Sequence, residues 1–482
     1  MNKTSQKKSK YQYLAGNIAL FSVSNFVSKI LVFLLVPLYT NVLTTSEYGI
    51  ADIMQVTLLL LVPAITLNMG EAALRFGIEK ADLRGSILRI GLKYIIIGDI
   101  AVGLICMVLA LIFRQPYSLY FILFIFLFVA NSLFEFLILY FQGCEMVPVV
   151  VIGSVSSTFI MIISNIVFLL VVRIGLKGYI LSQILAFALA SVIMLTIGRM
   201  GMGQLKLKED KLLEKEMVSY GIPMIAYSTG SWINNAADRY IVAGICGSSI
   251  NGIYGVAYKI PAILMVFQRI FAQAWQMSAT KSYTDDKSEE FFTTMYKVYN
   301  TFMVIGCSFL ILLVRPVAAF LFRKEFYEAW RFVPPLLISV IFGALTGFLG
   351  SICLAHKDSK AMGLATGVGA VINVILNLIT IPFYGAMGAA WATAISYCTM
   401  CFMAYAMVRK YVHIGNNLTL EILGYILLAA EAVIMIMGIG ASYLICALIC
   451  VILLGMYYRD VKDIVSKLFG IITGKLLNKL HR

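Results

Sequence analysis

Charge is scarce in this chain. Only 13% of its 482 residues are Asp, Glu, Lys or Arg, and 61% are hydrophobic, where a soluble domain carries roughly 25% charge. A soluble globular fold is excluded. Acids are scarcer than bases, 24 against 38, for a net charge of +14. In a soluble protein that excess would point to nucleic acid; in a chain this apolar it points first to cytoplasmic loops, and no nucleic-acid partner is expected. Histidine is nearly absent: His356, His413 and His481 all fall in expected loops or the tail and read as solvated. No G-x-x-x-x-G-K-[ST] loop occurs, which excludes a nucleotide-driven pump. The longest outer connection, about Arg315 to Glu328, is short for the catalytic apparatus expected of a membrane glycan polymerase or ligase and argues against one, and the chain reads as a non-enzyme. Disulfide scaffolding is missing too. The nine cysteines sit almost all in apolar runs, where Cys behaves as a small hydrophobe. Cys398 and Cys401 have C-x-x-C spacing inside an apolar helix with no further Cys or His beside them, so no metal or redox role is expected.

Long apolar runs are what the chain has in abundance. A membrane span takes roughly 20 apolar residues, and hydropathy with charge breaks places fourteen of them: 14-39, 48-74, 89-113, 117-141, 148-172, 176-198, 217-245, 250-278, 290-314, 329-353, 361-383, 386-408, 417-438 and 441-458. The run Leu14 to Leu38 is too long for a signal-peptide core and reads as a retained first helix. The expectation is an all-α polytopic membrane protein. With an even number of spans, 26 of the 38 Lys and Arg fall on one side, 7 on the other and five within spans, which puts both termini in the cytoplasm by the positive-inside rule.

The spans repeat. Glu47-Tyr-Gly-Ile-Ala-Asp52 is echoed by Ile253-Tyr-Gly-Val-Ala-Tyr258 at an offset of 206, and Lys93 by Lys297 at 204. Arg114-Gln-Pro116 and Arg315-Pro316 end the third and ninth spans, and Gly175-x-x-Gly178 matches Gly385-x-x-Gly388 at 210. Four landmarks in one order predict two six-helix lobes, parallel because six is even, with an axis along the membrane normal. The organisation expected is a cytoplasmic N-terminus (1-13), an N-lobe (14-199), a cytoplasmic linker (200-216), a C-lobe (217-410), a C-terminal helix pair (411-458) and a tail (459-482). In the tail Val461, Ile464, Val465, Leu468, Phe469, Ile472, Leu476 and Leu480 recur at helical spacing among lysines, the pattern of a basic amphipathic segment on a lipid surface.

Intramembrane polarity is where chemistry can reside, since a charge at mid-bilayer costs at least ~2.5 to 3.5 kcal/mol. In the first span Ser22, Asn25 and Lys29 share one helix face. Lys29 lies about 22 Å from the inner end and about 15 Å from the outer end at 1.5 Å per residue, beyond easy snorkelling. A cavity-facing Lys29 competes with a structural, hydrogen-bonded one. The repeat makes Asn25 correspond to Ser231 and Lys29 to Asn235, and in the seventh span Ser231, Asn235 and Arg239 form a ladder on one face. Asp238, about 100° away, is expected to partner a neighbouring helix. In the eighth span Lys259 stands two residues before Pro261, whose missing amide can open a carbonyl, and Gln268, Arg269 and Gln273 continue the polarity. Arg269 can also snorkel, and Lys297 reads as snorkelling or structural. Glu71 and Arg75 at i,i+4 read as a helix ion pair. Five acids, Asp52, Asp99, Glu135, Asp238 and Glu431, equal the five intramembrane cations in number, so placement and not count argues for a positive cavity. Among them Asp52, Asp99 and Asp238 are the candidates for a coupling proton or Na+.

Three stretches carry a family likeness: Val36-Pro-Leu-Tyr-Thr-Asn-Val-Leu-Thr-Thr-Ser-Glu-Tyr-Gly49, Asp238-Arg-Tyr-Ile-Val through Gly252-Ile-Tyr-Gly-Val-Ala-Tyr-Lys259, and Tyr384-Gly-Ala-Met-Gly-Ala-Ala-Trp-Ala-Thr393. Their order, with the length and span layout, resembles the polysaccharide transporter (Wzx-type) branch of the multidrug/oligosaccharidyl-lipid/polysaccharide exporter superfamily. The resemblance implies two lobes in a V around a central cavity lined by spans one, two, seven and eight, a bacterial plasma-membrane location, and ion-coupled alternating access. It implies a polyprenyl-pyrophosphate-linked oligosaccharide as substrate, flipped from the cytoplasmic to the outer leaflet for surface polysaccharide assembly, with the assembly proteins as partners. It also implies a groove for the isoprenoid tail at spans thirteen and fourteen. Lys29, Arg239, Lys259, Arg269, Asn25 and Asn235 would then hold the head group. The rival readings are a cation-coupled drug exporter of the same superfamily, which would favour acids in the cavity, and a glycan polymerase or ligase.

Overall fold

A computed structural model describes residues 33–113, 115, 117–198, 210–282, 288–356, 358–415, 417–438, 440–458 and 462. The first span up to residue 32, with Asn25 and Lys29, and nearly all of the tail lie outside the described residues. Among the described residues the chain is helical throughout, with no strand. The helices are α1 (Val36–Val42), α2 (Thr45–Ile65), α3 (Met69–Glu79), α4 (Arg84–Ile112), α5 (Tyr117–Gly143), α6 (Val147–Asn165), α7 (Gly175–Ile197), α8 (Lys211–Cys246), α9 (Ser248–Ala257), α10 (Pro261–Ser282), α11 (Ser288–Leu312), α12 (Val314–Leu321), α13 (Val333–Ala355), α14 (Ser359–Tyr384), α15 (Ala386–Val408), α16 (Leu418–Met437) and α17 (Ser442–Met456).

Ten of these helices are long and apolar enough to cross a membrane, or eleven if the bent pair α9 and α10 is one span. The protein is a multi-pass helical membrane protein. Two further expected spans coincide with helices that are less apolar or shorter than these. Helix α8 is diluted by Asn234, Asn235, Asp238 and Arg239, and α17 is short at 15 residues. Two spans read as continuous are broken. The second ends at Ile65 and resumes at Met69, with Leu67 and Asn68 in left-handed conformation; Pro63 cannot donate within the helix, and its carbonyl accepts instead from the amide of Asn68 at 2.8 Å. The eighth bends by 47° between Ala257 and Pro261, where Pro261 starts a new helix instead of kinking one.

Local signals set several boundaries. Helix α2 opens on a capping box: the Thr44 hydroxyl accepts from the Glu47 amide, and the Glu47 carboxylate accepts from the Thr44 amide at 2.9 Å. The matched G-x-x-G pairs have matched jobs. Gly175 and Gly385 both take positive φ, 54° and 58°, which lets the chain reverse into α7 and α15. Gly178 and Gly388 face close backbone or side-chain approach: a Cβ would lie 2.9 Å from Phe168 Cβ at the first and 2.7 Å from the Thr380 carbonyl at the second.

The chain divides into two compact units, residues 1–236 and 237–482. In the first, Met69, Phe76, Ile87, Leu137, Phe141 and Met194 pack one buried cluster from α3, α4, α5 and α7, and Met54, Leu58, Leu127 and Phe128 pack another. Polar ties hold the start of α8 within this unit. Lys93 bonds Glu214 at 2.8 Å, Tyr94 donates to the same carboxylate at 2.9 Å, and Lys80 pairs with Glu216. Arg75 pairs with Glu79 at 3.0 Å rather than with Glu71, because both side chains sit toward the exposed end of α3 while Glu71 lines a cavity. In the second unit α13 is the central helix and the most deeply buried of the apolar spans. Trp275 stacks on Phe348 with ring centroids 4.0 Å apart and donates to the Phe348 carbonyl at 3.1 Å. Helices α16 and α17 pack on each other and on α11.

The Lys93 ammonium holds the Glu214 carboxyl below its ordinary range, against the opposing effect of burial. A depressed carboxylate stabilises the fold above its unfolded pKa of about 4.3, and the contribution is lost as pH falls through the depressed native value. Glu214→Gln is therefore expected to lower the thermal midpoint slightly at pH 7, by less than about 1 kcal/mol for so exposed a pair, and to match wild type once the pH falls well below 4.3 (~). Gly388→Ala is expected to cost about 1 to 3 kcal/mol, read as a lower melting midpoint in detergent, whereas Ala at Gly367, which has open space around it, is expected to be silent.

Candidate functional site

The densest polar cluster in the second unit centres on Asp238. Helix α8 places it near the end of an apolar span, 2% exposed. One carboxylate oxygen, Oδ2, accepts from the hydroxyls of Tyr254 at 2.6 Å and Tyr258 at 2.7 Å, and from Thr393 at 3.4 Å. The other, Oδ1, accepts from the backbone amide of Arg239 at 2.9 Å. Burial of a carboxylate demands such partners, and four elements supply them: α8, α9, the α9–α10 break and α15.

The cluster continues into α14. Asn373 donates to the Thr393 hydroxyl at 3.4 Å, and Asn377, one turn on, donates to Asn373 Oδ1 at 2.9 Å. All three are at most 3% exposed. Asn377 Oδ1 is buried with no hydrogen-bond partner among the described residues. A carboxylate, a hydroxyl and amide oxygens make a hard oxygen set, the kind that suits a proton on the acid or a small hard cation and not a thiol-seeking metal.

Beside this cluster the cations are spread. The Arg239 guanidinium is half-buried and lies over the Tyr258 ring, 4.4 Å from its centroid. Lys259 is half-buried at the break between α9 and α10, next in sequence to Tyr258. Arg269 is exposed two and a half turns farther along α10, away from the cluster in sequence. Asn235 is exposed, and its amide turns back to the Ser231 carbonyl at 2.7 Å. The structure thus brings Asp238, Arg239 and the tyrosine preceding Lys259 together.

The other acids lie in the first unit. Asp52 is buried on α2. Asp99, half-buried on α4, accepts from the Ser132 hydroxyl at 2.8 Å. Ser132 also lines a cavity of about 390 Å³ with Gln55, Asn68, Glu71, Asn131 and Glu135. Asn68 there donates to Ser228 at 3.0 Å.

Five residues of the Asp238 cluster escape a search for intramembrane charge: Tyr254, Tyr258, Asn373, Asn377 and Thr393. Signals for them exist. Tyr254 and Tyr258 stand in the repeated Tyr-Gly-x-Ala stretch, Thr393 closes the stretch that begins at Tyr384, and Asn373 and Asn377 form an i,i+4 polar pair in an otherwise apolar helix.

Comparison with known proteins agrees with this architecture. The chain shares 25% identity over 203 residues with the "Probable low-salt glycan biosynthesis flippase" of Haloferax volcanii, 42% of this chain and 43% of that protein. The match spans less than half the length of the curated relatives found. Among solved structures, the fold is shared with the lipid II flippase MurJ in an inward closed conformation, with a TM-score of 0.67 at 17% identity, covering 92% of this chain and 99% of that one. It is also shared with an inward-facing multidrug resistance transporter of the MATE family, with a TM-score of 0.65 at 11% identity over 80% and 95% of the two chains. The model of the polysaccharide biosynthesis protein family matches residues 14–276, more than half of the sequence, and the chain belongs to that family.

Proposed function

We propose that the protein is a flippase that carries a polyprenyl-pyrophosphate-linked oligosaccharide from the cytoplasmic to the outer leaflet of a bacterial plasma membrane, by alternating access, for surface polysaccharide assembly. The observation that carries the reading is the state of Arg239. Its guanidinium rests on the Tyr258 ring, while the adjacent carboxylate of Asp238 is engaged by Tyr254, Tyr258 and Thr393. A guanidinium is planar and can meet a phosphate bidentately. Lys259, next to Tyr258 in sequence, adds a point charge. Lys29 and Asn25 of the first span, with Asn235 and Arg269, complete the head-group set that the sequence suggests.

Asp238, Thr393, Asn373 and Asn377 are the coupling site in this reading, taking Na+ among their oxygens or a proton on the carboxyl. Asp52 and Asp99 are the remaining candidates. Asp238 and Arg239 are consecutive, so a change in what Asp238 holds acts on the backbone that carries the phosphate-binding arginine. Coupling between ion and substrate then needs no longer path than one peptide unit.

A second reading, a cation-coupled drug exporter, is favoured by the near-equal fold match to the multidrug transporter. Drug resistance conferred on an exporter-deficient host separates the two.

Removing one charge-assisted contact costs about 1.5 to 3 kcal/mol. Arg239→Ala is therefore expected to lower surface glycan roughly tenfold or more at unchanged membrane abundance, with Arg239→Lys recovering part of it. Normal export from Arg239→Ala and Lys259→Ala would contradict the assignment. Asp238→Asn is expected to leave residual export that no longer responds to collapse of the sodium or proton gradient, measured with ionophores; export that still responds would move the coupling site elsewhere.

A further inference from the structure

Helices α11 and α16 pack side by side and are joined by polar rungs. Tyr296 donates to the Glu421 carboxylate at 3.2 Å, and the Tyr425 hydroxyl donates to Asn300 Oδ1 at 2.9 Å. Just past the end of α11, the Arg315 guanidinium donates to the Met435 carbonyl at 3.0 Å. Between the second rung and the last, a fourth pair of polar side chains meets without such a bond. Glu431 is 0% exposed, and neither of its carboxyl oxygens has a partner in hydrogen-bond geometry among the described residues. The Ser308 hydroxyl faces it from α11 and is likewise buried and unpartnered.

The other groups around Glu431 supply little. Cys307 on α11 and Cys446 on α17 bring buried thiols near the carboxyl, and a thiol is a weak donor. The Cys446 thiol is itself turned to the Glu431 backbone carbonyl at 3.6 Å. Helix α13, also packed on α16, has Cys353 as its one titratable side chain, and that lies by Asp358 and Lys410. Asp238 takes four donors to hold its charge; one facing hydroxyl cannot do the same for Glu431, and a buried carboxyl without donors is held as the neutral acid. The nearby cation is Arg315, half-buried, which acts together with Glu431 on the Cys446 thiol. Met435, whose carbonyl it holds, is one helical turn from Glu431 on the same face of α16, about 5.4 Å along the axis. The Arg315 Nε–H is buried with no acceptor among the described residues.

An acid short of donors and a guanidinium with a spare donor thus stand one turn apart. We propose that Glu431 is a proton-binding site of the C-terminal helix pair, with Arg315 as the partner that its carboxylate takes when the proton leaves. With the proton bound, the carboxyl is neutral and the guanidinium stays on the Met435 carbonyl, 4.2 Å from the centroid of the Trp330 ring and 5.8 Å from that of Tyr443. When the proton passes to water, the carboxylate accepts the Arg315 Nε–H, and α16 is drawn along α11 toward α12. The site shares no residue with the Asp238 cluster and does not rest on the flippase reading.

The test is infrared difference spectroscopy of the full chain in lipid nanodiscs, read at the carbonyl stretch of protonated carboxylic acids. At neutral pH wild type is expected to show a band that Glu431→Gln lacks and that Asp99→Asn and Asp238→Asn keep. Gln is the neutral isostere, so this variant is expected to melt where wild type does; Glu431→Met, which also carries no acid, repeats the measurement should the Gln variant not fold. Raising the pH is expected to remove the Glu431 band, and in Arg315→Gln to remove it only at a proton concentration lower by about tenfold or more, the worth of one charge-assisted contact to the carboxylate. An arginine with a structural role alone would leave that concentration where it is. Wild type indistinguishable from the Glu431 variants in this region at neutral pH, or loss of the band at the same pH in wild type and Arg315→Gln, would overturn the proposal.

Discussion

A carboxylate buried among helices has to find its hydrogen bonds within the protein, because burial takes it away from water. Asp238 meets that demand with two tyrosine hydroxyls, a threonine hydroxyl and a backbone amide. These bonds tie α8 to the α9–α10 break and to α15, and through Thr393 and Asn373 to α14. The break lies beside one of these partners, where Pro261 starts the next helix. Tyr258 can reach Asp238 and still pass the chain on to Pro261 because the helix stops at Ala257 and turns by 47°.

Much of this architecture is legible in the sequence because it depends on apolar runs and on glycine. The matched Gly175-x-x-Gly178 and Gly385-x-x-Gly388 pairs mark reversals with positive φ followed by close packing, and both consequences are properties of glycine alone. Breaks are harder to read. Pro63 and Pro261 each sit near one, but whether a proline kinks a helix, ends it or starts the next depends on tertiary partners for the freed carbonyls. The same holds for Arg75, which has an acid at i−4 and another at i+4 and pairs with the second.

The Asp238 cluster was half legible. Its charged member stands out against an apolar span, whereas tyrosine, threonine and asparagine are common enough in such helices that only their convergence in space singles them out. Asn373 and Asn377 lie more than 130 residues from Asp238 (~) in the sequence, and no local pattern announces that separation.

Family membership and fold do not name a cargo, so the cargo of the proposed flippase has to be argued from the chemistry of the site. In the proposed reading, the arginine over the Tyr258 ring meets a phosphate-bearing substrate. The direct measurement is translocation by the purified protein in liposomes of a fluorescent polyprenyl-pyrophosphate oligosaccharide, followed by access of the label to an impermeant quencher. The account predicts label crossing between leaflets that is accelerated by the protein and slowed when the pyrophosphate is replaced by a neutral linker. Crossing no faster than in empty liposomes, or equally fast with the neutral linker, would contradict it.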